Sequence, residues 1–285
     1  MKAKDWIKTI LLLTPGIGLI VLLIGTVVYI AIAQSFGLYN LGGEDQLTIA
    51  YWTKMLGRKL YMRSVNYSLY IGFWSALLSV ALAYPIAIWL RKPFSGSIAI
   101  GAILKAPLLV HGLVAAFLFV NVIAYHGIVN QFMQWIGFWD APRTMQNDKG
   151  AIGILVLQVW KNMPFALLIL TGSVQSISDD VLDAARDLGA HSFSRFRKVI
   201  APLTISAMQA ALVIIFIGAV ADFSFQTIAG PTNRQSLAQL MVFFKGNGRW
   251  HDAAVVGSTL MICALFGSAL LAIVVRFIVK GGRFK

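Results

Sequence analysis

The chain has 285 residues, of which 58% are hydrophobic and 12% charged, and its mean hydropathy is +0.77. These polar side chains are too few to cover a water-soluble globule of this size, so the composition predicts an integral membrane protein. The formal net charge of +13 does not predict nucleic-acid binding, because Lys and Arg are spread over short loops and tails, where they set membrane topology.

The first apolar run covers residues 10–33 and follows three lysines, Lys2, Lys4 and Lys8. It is longer than the roughly 7–15 apolar residues of a signal peptide, and it is long enough to cross about 30 Å of hydrocarbon. We therefore expect an additional N-terminal membrane span here. The more polar residues 34–64 then predict an external segment with a short interfacial helix.

Five further apolar runs predict membrane spans, at residues 65–90, 98–125, 151–177, 203–221 and 253–275. The intervening stretches 126–150 and 222–252 are expected outside, and residues 236–244 have helical spacing that suits a segment dipping back into the membrane. The fold class is thus an all-α integral membrane protein with six transmembrane helices, forming a single membrane domain over residues 1–285. Both termini then lie on one side, and the basic C-terminal tail favours the cytoplasm.

Ionisable residues inside spans are costly, so each is a candidate for function. Lys105 lies near the predicted edge of its span, and we expect its ammonium group to snorkel to the surface. Lys161 lies near the middle of the fourth span, where it would face a translocation cavity or pair across the bundle. The candidates for the translocation path are Lys161, Asn162, Asp222 and Phe225.

Residues 178–203, here called the central segment, form the long stretch that is both charged and helical in pattern. Ser178 suits a helix N-cap, and Asp179 and Asp180 suit the first turn, where the helix dipole favours negative charge. Gly189 is expected to end this helix, because glycine tolerates positive φ. A second, basic helix is expected to end at Pro202.

The central segment has an apolar stripe and a basic face. The stripe is formed by Val181, Ala185 and Leu188, and the second helix has apolar residues on one side and basic residues on the other: Phe193, Phe196, Ile200, Arg195, Arg197 and Lys198. Periodicity and charge leave two interpretations open. The segment is either an interfacial loop that meets lipid head groups or a helix–turn–helix that offers small residues to a closely packing partner.

The order of residues in the central segment resembles a known motif. Asp183-Ala184-Ala185, then Gly189-Ala190, then Pro202-Leu203 resembles the EAA loop of ABC-importer permeases of the MetI-like, type I fold. Asp183 replaces the usual Glu and Ala201 the usual Leu. The resemblance covers roughly residues 60–280, the expected permease core, including the stretch from Trp160 to Phe165.

This resemblance implies a coupling role for the central segment, which in that family is cytoplasmic and docks on an ATPase subunit. The implied coupling residues are Asp183, Ala184, Ala185, Arg186, Asp187, Gly189, Ala190, Arg195 and Pro202. The implied partners are a dimer of ATP-binding subunits, a second permease that is the same or a homologous chain, an extracytoplasmic solute-binding protein and membrane lipid. The implied location is the inner membrane of a bacterium or archaeon.

Catalytic signatures are missing from the sequence. There is no G-x-x-x-x-G-K-[ST] loop to hold phosphates, and the four histidines lie on different segments without metal-ligand spacing. Cys263 lies in an apolar run and is expected to pack there. We therefore expect no enzyme activity, no metal and no cofactor on this chain, with ATP and Mg²⁺ bound by the partner ATPase.

The expected function is transport of a small solute. The sequence DAARDLGA and the Asp222-Phe223 neighbourhood resemble the spermidine/putrescine-type branch, which implies a polyamine-like or related small charged solute. The alternative is an ion-coupled secondary transporter that uses Lys161 and Asp222, with His111, as a relay. Such transporters often contain repeated halves with broken helices, which the sequence does not reveal.

Overall fold

The computed structural model describes residues 3–40, 45–143, 145, 148 and 150–281. Within these residues all regular structure is helical, as a membrane interior requires, because a helix satisfies its own backbone hydrogen bonds. The helices are α1 (Ala3–Ser35), α2 (Ala50–Leu56), α3 (Lys59–Trp89), α4 (Ser97–Lys105), α5 (Gly112–Ile123), α6 (Ile128–Trp135), α7 (Ile152–Gln175), α8 (Asp179–Asp187), α9 (Ser192–Leu203), α10 (Ile205–Val220), α11 (Ser224–Ala229), α12 (Leu237–Gly246) and α13 (Trp250–Gly281).

Five stretches of the described chain are long and apolar enough to cross a membrane, or six if the bent pair α9 and α10 counts as one span. The predicted spans one, two, four and six correspond to Leu11–Ser35, Lys59–Trp89, Ile152–Gln175 and Trp250–Val279. The predicted fifth span corresponds to α10, which follows α9 after a bend of 72°. The short helix expected in residues 34–64 is α2, although α3 begins earlier than predicted, at Lys59.

The predicted third span, residues 98–125, is not one continuous helix in the structure. Helix α4 continues into a single 3₁₀ segment, Ala106–Leu109, and the backbone is extended at Val110 and His111 before α5 begins. Pro107 lies in the 3₁₀ segment and has no backbone N–H to continue an α-helical ladder. The apolar stretch that is long enough to span is instead Gly112–Trp135, which includes α6.

The chain divides into two compact units, and each has its own contacts. The first consists of Met1–Met62 and Leu240–Thr259. Inside it, the rings of Tyr51 and His251 stack with centroids 4.6 Å apart, and Tyr61 and Thr259 share a hydrogen bond of 2.6 Å between their hydroxyls. The predicted division into one membrane domain with a core at 60–280 stays a prediction.

The second unit, Arg63–Gln239 with Leu260–Lys285, contains the larger apolar core. Phe216 of α10 lies in this core and is only 2% exposed. Its ring lies against two glycines: a Cβ built on Gly267 would come within 2.4 Å of the ring, and one on Gly72 within 3.1 Å. Small residues let membrane helices approach closely, so these glycines bring α3 and α13 against α10.

Candidate functional site

Helix α8 opens the central segment, and it begins where the sequence predicts. Ser178 has the extended conformation of an N-cap residue, but its side chain makes no capping hydrogen bond. Asp179 and Asp180 occupy the first turn, where backbone N–H groups favour carboxylates. The predicted start of the helix is confirmed, but the side-chain contact that stabilises it comes from a residue distant in the sequence.

Arg91, two residues after the end of α3, fastens the start of α8. Its guanidinium donates one hydrogen bond to Asp179 Oδ1 and another to the Ile177 carbonyl, each 2.6 Å long. Lys92 Nζ lies 3.5 Å from the same Asp179 oxygen. The hydrogen bond from Arg91 lowers the pKa of the Asp179 carboxyl below its ordinary value. The Arg91 side chain is only 11% exposed, so this contact ties the central segment firmly to the end of a membrane helix.

Gly189 ends α8 through a Schellman motif. Its φ is +79°, in the left-handed region that glycine adopts without strain. The N–H of Ala190 donates to the Ala185 carbonyl over 3.0 Å, and the N–H of Gly189 donates to the Arg186 carbonyl over 2.9 Å. The prediction that Gly189 closes the first helix is confirmed.

Helix α9 forms the second half of the central segment and leads directly into α10. His191 Nδ1 accepts a hydrogen bond of 3.2 Å from the Ser194 N–H and so caps the helix start. The middle of α9, Phe196–Ile200, is π-helical, and the helix ends one residue beyond Pro202, at Leu203. At the bend that follows, the Thr204 hydroxyl hydrogen-bonds the Tyr84 hydroxyl of α3.

The predicted coupling residues are exposed or half-buried, and none of them is fully buried. Asp183, Ala184, Arg186, Asp187 and Gly189 are exposed, whereas Ala185, Ala190, Arg195 and Pro202 are half-buried. Leu182 packs into the core, but Val181, Leu188 and Phe193 are 43%, 88% and 66% exposed. The segment therefore presents apolar side chains that no described part of the chain covers.

Lys161 of α7 pairs across the bundle with the broken third span. Its ammonium donates to the Pro107 carbonyl over 2.7 Å and also to the Val110 carbonyl. Both carbonyls lie where the α-helical ladder stops, and the Pro107 carbonyl also accepts a hydrogen bond of 3.3 Å from the Val110 N–H. Lys161 was predicted either to face a translocation cavity or to pair across the bundle, and its hydrogen bonds to the third span are of the second kind.

Asn162 and Asp222 belong to one hydrogen-bonded chain of polar groups. The Asn162 amide donates to Gln158 Oε1 over 2.9 Å, and the Gln158 amide donates to Asp222 Oδ2 over 3.0 Å. Asp222 Oδ1 also accepts from the N–H of Phe225 over 3.3 Å. Lys161 lies outside this chain of bonds, and among the described residues its ammonium hydrogen-bonds only to the third span.

Phe225, the last candidate for the translocation path, packs in an apolar cluster and is 6% exposed. A Cβ on Gly112 at the start of α5 would lie 3.4 Å from its ring. The neighbouring Gln226 accepts a hydrogen bond of 2.8 Å from the Tyr67 hydroxyl. The Phe225 ring is thus held inside the apolar cluster, and its predicted role on the path stays a prediction.

Sequence reasoning missed Gln158, although a signal was present. Gln158 and Asn162 are four residues apart, which places both on one face of a helix. Sequence reasoning also missed the contact of Arg91, whose partner Asp179 lies 88 residues later. Within the described residues, no group of three or more His, Cys, Asp or Glu side chains is arranged to hold a metal ion.

Comparison with known proteins places this geometry in a family. Residues 75–281 match the family described as "Binding-protein-dependent transport system inner membrane component". The spermidine/putrescine transport system permease protein PotB of Escherichia coli is 25% identical over 217 residues, covering 75% of this chain and 78% of PotB. The inner membrane ABC transporter permease protein YdcU of Escherichia coli is 24% identical, covering 95% of this chain and 91% of YdcU.

A third relative and a solved structure extend the comparison. The ferric transport system permease protein FbpB of Actinobacillus pleuropneumoniae is 24% identical over 81% of this chain and 33% of FbpB. A chain of a bacterial ABC transporter that imports the acidic polysaccharide alginate has the same fold, with a TM-score of 0.68, 16% identity, and coverage of 98% and 96%. The match to the family spans well over half of the chain, so the protein belongs to the binding-protein-dependent transport system inner membrane components, as a MetI-like permease component of an ABC importer.

Proposed function

We propose that this chain forms the translocation path for a small solute and that separate ATP-binding subunits drive it through the central segment. The observation that supports this most directly is the exposed apolar surface of α8, formed by Val181 and Leu188. Such residues beside small Ala184 and Gly189 suit a closely packed protein contact. ATP and Mg²⁺ would be bound by those partner subunits, because this sequence has no phosphate-binding loop.

The contacts of the central segment support a lever mechanism. Arg91 joins α8 to the end of α3, and α9 runs through a single bend into α10. Movement of the central segment by a closing pair of ATP-binding subunits would therefore be transmitted to two membrane helices together. We propose that this motion opens the path to a solute delivered by an extracytoplasmic binding protein. One neighbour in the alginate system was solved with an alginate pentasaccharide-bound periplasmic protein.

The complete transporter would contain two permeases, this chain paired with a second copy or a homologue. The coupling role requires the central segment to lie in the cytoplasm, and with six spans both termini would lie there too. The apolar helices and the family fit a multi-pass inner membrane protein. Family membership also favours this mechanism over the ion-coupled secondary transporter, which would need no ATP-binding partner.

For the solute we propose a polyamine-like or related small charged molecule. The resemblance to PotB supports this at 25% identity, although relatives include a ferric permease and an alginate importer. The Asp222 carboxylate, hydrogen-bonded to Gln158, is a negative group that would favour a cation. Uptake of radiolabelled spermidine, compared between the wild type and Asp222→Asn, tests this choice. Unchanged spermidine uptake by Asp222→Asn would remove the carboxylate from the argument.

The coupling role is tested by Gly189→Asp with Gly189→Asn as its matched control. A Cβ at Gly189 meets nothing within 4 Å, and Asp and Asn both tolerate positive φ better than other side chains. Only Asp places a negative charge at the C-terminal end of α8, where the helix dipole is also negative. We expect Gly189→Asp to reach the membrane in normal amount but to lose at least about ten-fold of the ATPase activity that purifies with the wild-type chain, a change of about 1.4 kcal/mol in binding.

The outcomes separate coupling from folding. Gly189→Asn should retain most of the co-purifying ATPase activity, because it shares the backbone strain and lacks the charge. Equal retention of ATPase activity by wild type and Gly189→Asp would count against docking at this surface. Transport in vesicles without ATP would instead support the secondary transporter.

A further inference from the structure

An apolar groove lies where α3 passes α9 and α10. Its volume is about 500 Å³, and its wall is almost wholly apolar. The side chains that define it are Val80, Ala81, Tyr84, Phe193, Met208 and Leu212. Tyr84 contributes its ring only, because its hydroxyl is hydrogen-bonded to Thr204.

A second cavity of about 480 Å³ adjoins this groove and is basic. The two cavities share Ile88 and Phe196 as lining residues. The second is also lined by Arg91, Lys92 and Arg195. The acidic group in contact with these cations is Asp179, which pairs with Arg91 and Lys92. Three positive charges against one negative charge leave this end of the groove cationic.

Trp89 indicates the depth of the junction between the two cavities. It lines the basic cavity, is 55% exposed and packs against Phe94 with ring centroids 4.8 Å apart and ring planes tilted by 41°. Exposed tryptophan beside Lys and Arg is typical of the boundary between hydrocarbon and head groups. The apolar groove therefore lies on the hydrocarbon side of that boundary and the basic cavity on the head-group side.

We propose that an anionic phospholipid occupies these two cavities, with an acyl chain in the apolar groove and its phosphate at Lys92 and Arg195. An amphiphile with one negative head group matches both halves of the site, whereas a free phosphate leaves the groove unfilled. Lys92 is 70% exposed, and Arg195 makes only a weak hydrogen bond of 3.4 Å to Ser192, so both can turn to a phosphate. The lipid would bridge α3 and α9 and hold the central segment against the membrane helices.

The site can be tested by native mass spectrometry of the purified chain in detergent, which does not depend on the proposed transport function. Phosphatidylglycerol and phosphatidylcholine with the same acyl chains are titrated separately. We expect tighter binding of phosphatidylglycerol, and a loss of about five-fold in its affinity for each of Lys92→Gln and Arg195→Gln. Arg197→Gln is the matched control, because Arg197 is exposed on the same helix and does not line either cavity.

The acyl-chain half of the site is tested by Ala81→Trp. Ala81 is exposed in the groove, so the indole should fill it without disturbing the core and should weaken both lipids. Ala210→Trp on α10 is the control, because Ala210 is exposed and does not line the groove. Equal affinity for the two lipids in the wild type, or full lipid binding by Ala81→Trp, would overturn the proposal. A shift from dimer to monomer in Ala81→Trp with unchanged lipid binding would do the same, because the groove would then be a contact between copies.

Discussion

The hydrogen bonds of Lys161 lead to a quantitative prediction about the broken third span. Replacing Lys161 by Met keeps a long apolar side chain but removes both donations, to the Pro107 and Val110 carbonyls. These carbonyls stand where the 3₁₀ segment ends and the backbone becomes extended. The Pro107 carbonyl also accepts a long hydrogen bond of 3.3 Å from the Val110 N–H, so the ammonium is its second and shorter donor. We expect Lys161→Met to destabilise the packing of the third span against α7.

The magnitude follows from two opposing effects. A hydrogen bond to a charged group contributes about 1.5–3 kcal/mol, so two lost bonds cost about 3–6 kcal/mol. Removing an ionised lysine from within a membrane recovers about 2.5–3.5 kcal/mol. The net loss therefore lies between about zero and about 3.5 kcal/mol. The midpoint of that range, about 1.5 kcal/mol, corresponds to about 3–6 °C in the midpoint of thermal unfolding.

Lys105→Met is the matched control for this prediction. Lys105 lies at the end of α4, and its side chain makes no hydrogen bond or ion pair within the described part of the chain. Its replacement by Met should therefore leave thermal stability unchanged or raise it. The assay is the fraction of monodisperse protein that survives heating in detergent, measured by fluorescence-detected gel filtration. Equal thermal midpoints for Lys161→Met and Lys105→Met would refute the reasoning.

Three further predictions concern the contacts that hold the central segment and the core. Arg91 lowers the pKa of Asp179, so this contact stabilises the fold above the ordinary pKa of an aspartate and is lost as the pH falls through the lowered pKa of Asp179. Hydrogen exchange in α8 should therefore rise below about pH 4. Asp179→Asn should remove that pH dependence. Gly267→Ala should destabilise the fold by about 1–3 kcal/mol through overpacking against Phe216. Adding Phe216→Leu to that variant should restore part of the lost thermal stability. If the double variant instead loses the sum of the two single losses, the contact is contradicted. Tyr84→Phe should cost about 1 kcal/mol by removing the hydroxyl that pairs with Thr204, which a thermal midpoint equal to that of the wild type would disprove.

Local patterns predicted the central segment well, because its signals act over a few residues. Acidic residues at the start of α8 and glycine at its end depend on the helix dipole and on backbone φ, which neighbouring residues determine. The contacts that hold the segment in place are different in kind. Arg91 pairs with a residue 88 positions away, and Tyr84 with one 120 positions away, and a single sequence has no signal for such pairs.

The polar groups near Asp222 show the same limit. The sequence identified Asn162 and Asp222 separately as polar residues in apolar surroundings, which is a local property. It did not identify Gln158 as the group that joins them, with hydrogen bonds of 2.9 and 3.0 Å. The helical spacing of Gln158 and Asn162 was visible, but the partner on the other helix depended on the packing of α7 against the residues after α10.

The break in the third span was not predicted because proline occurs both inside continuous helices and at a break in this chain. Prolines at positions 15, 85 and 164 all lie inside continuous helices, α1, α3 and α7, whereas Pro107 coincides with a break. Proline is tolerated in membrane helices when neighbouring groups satisfy the freed carbonyls, so proline alone does not distinguish a kink from an interruption. Here the carbonyls exposed by the interruption are those that Lys161 binds. The charge in the fourth span and the break in the third therefore account for one another, because a half-buried ammonium needs acceptors and the carbonyls at a helix break can accept a further donor.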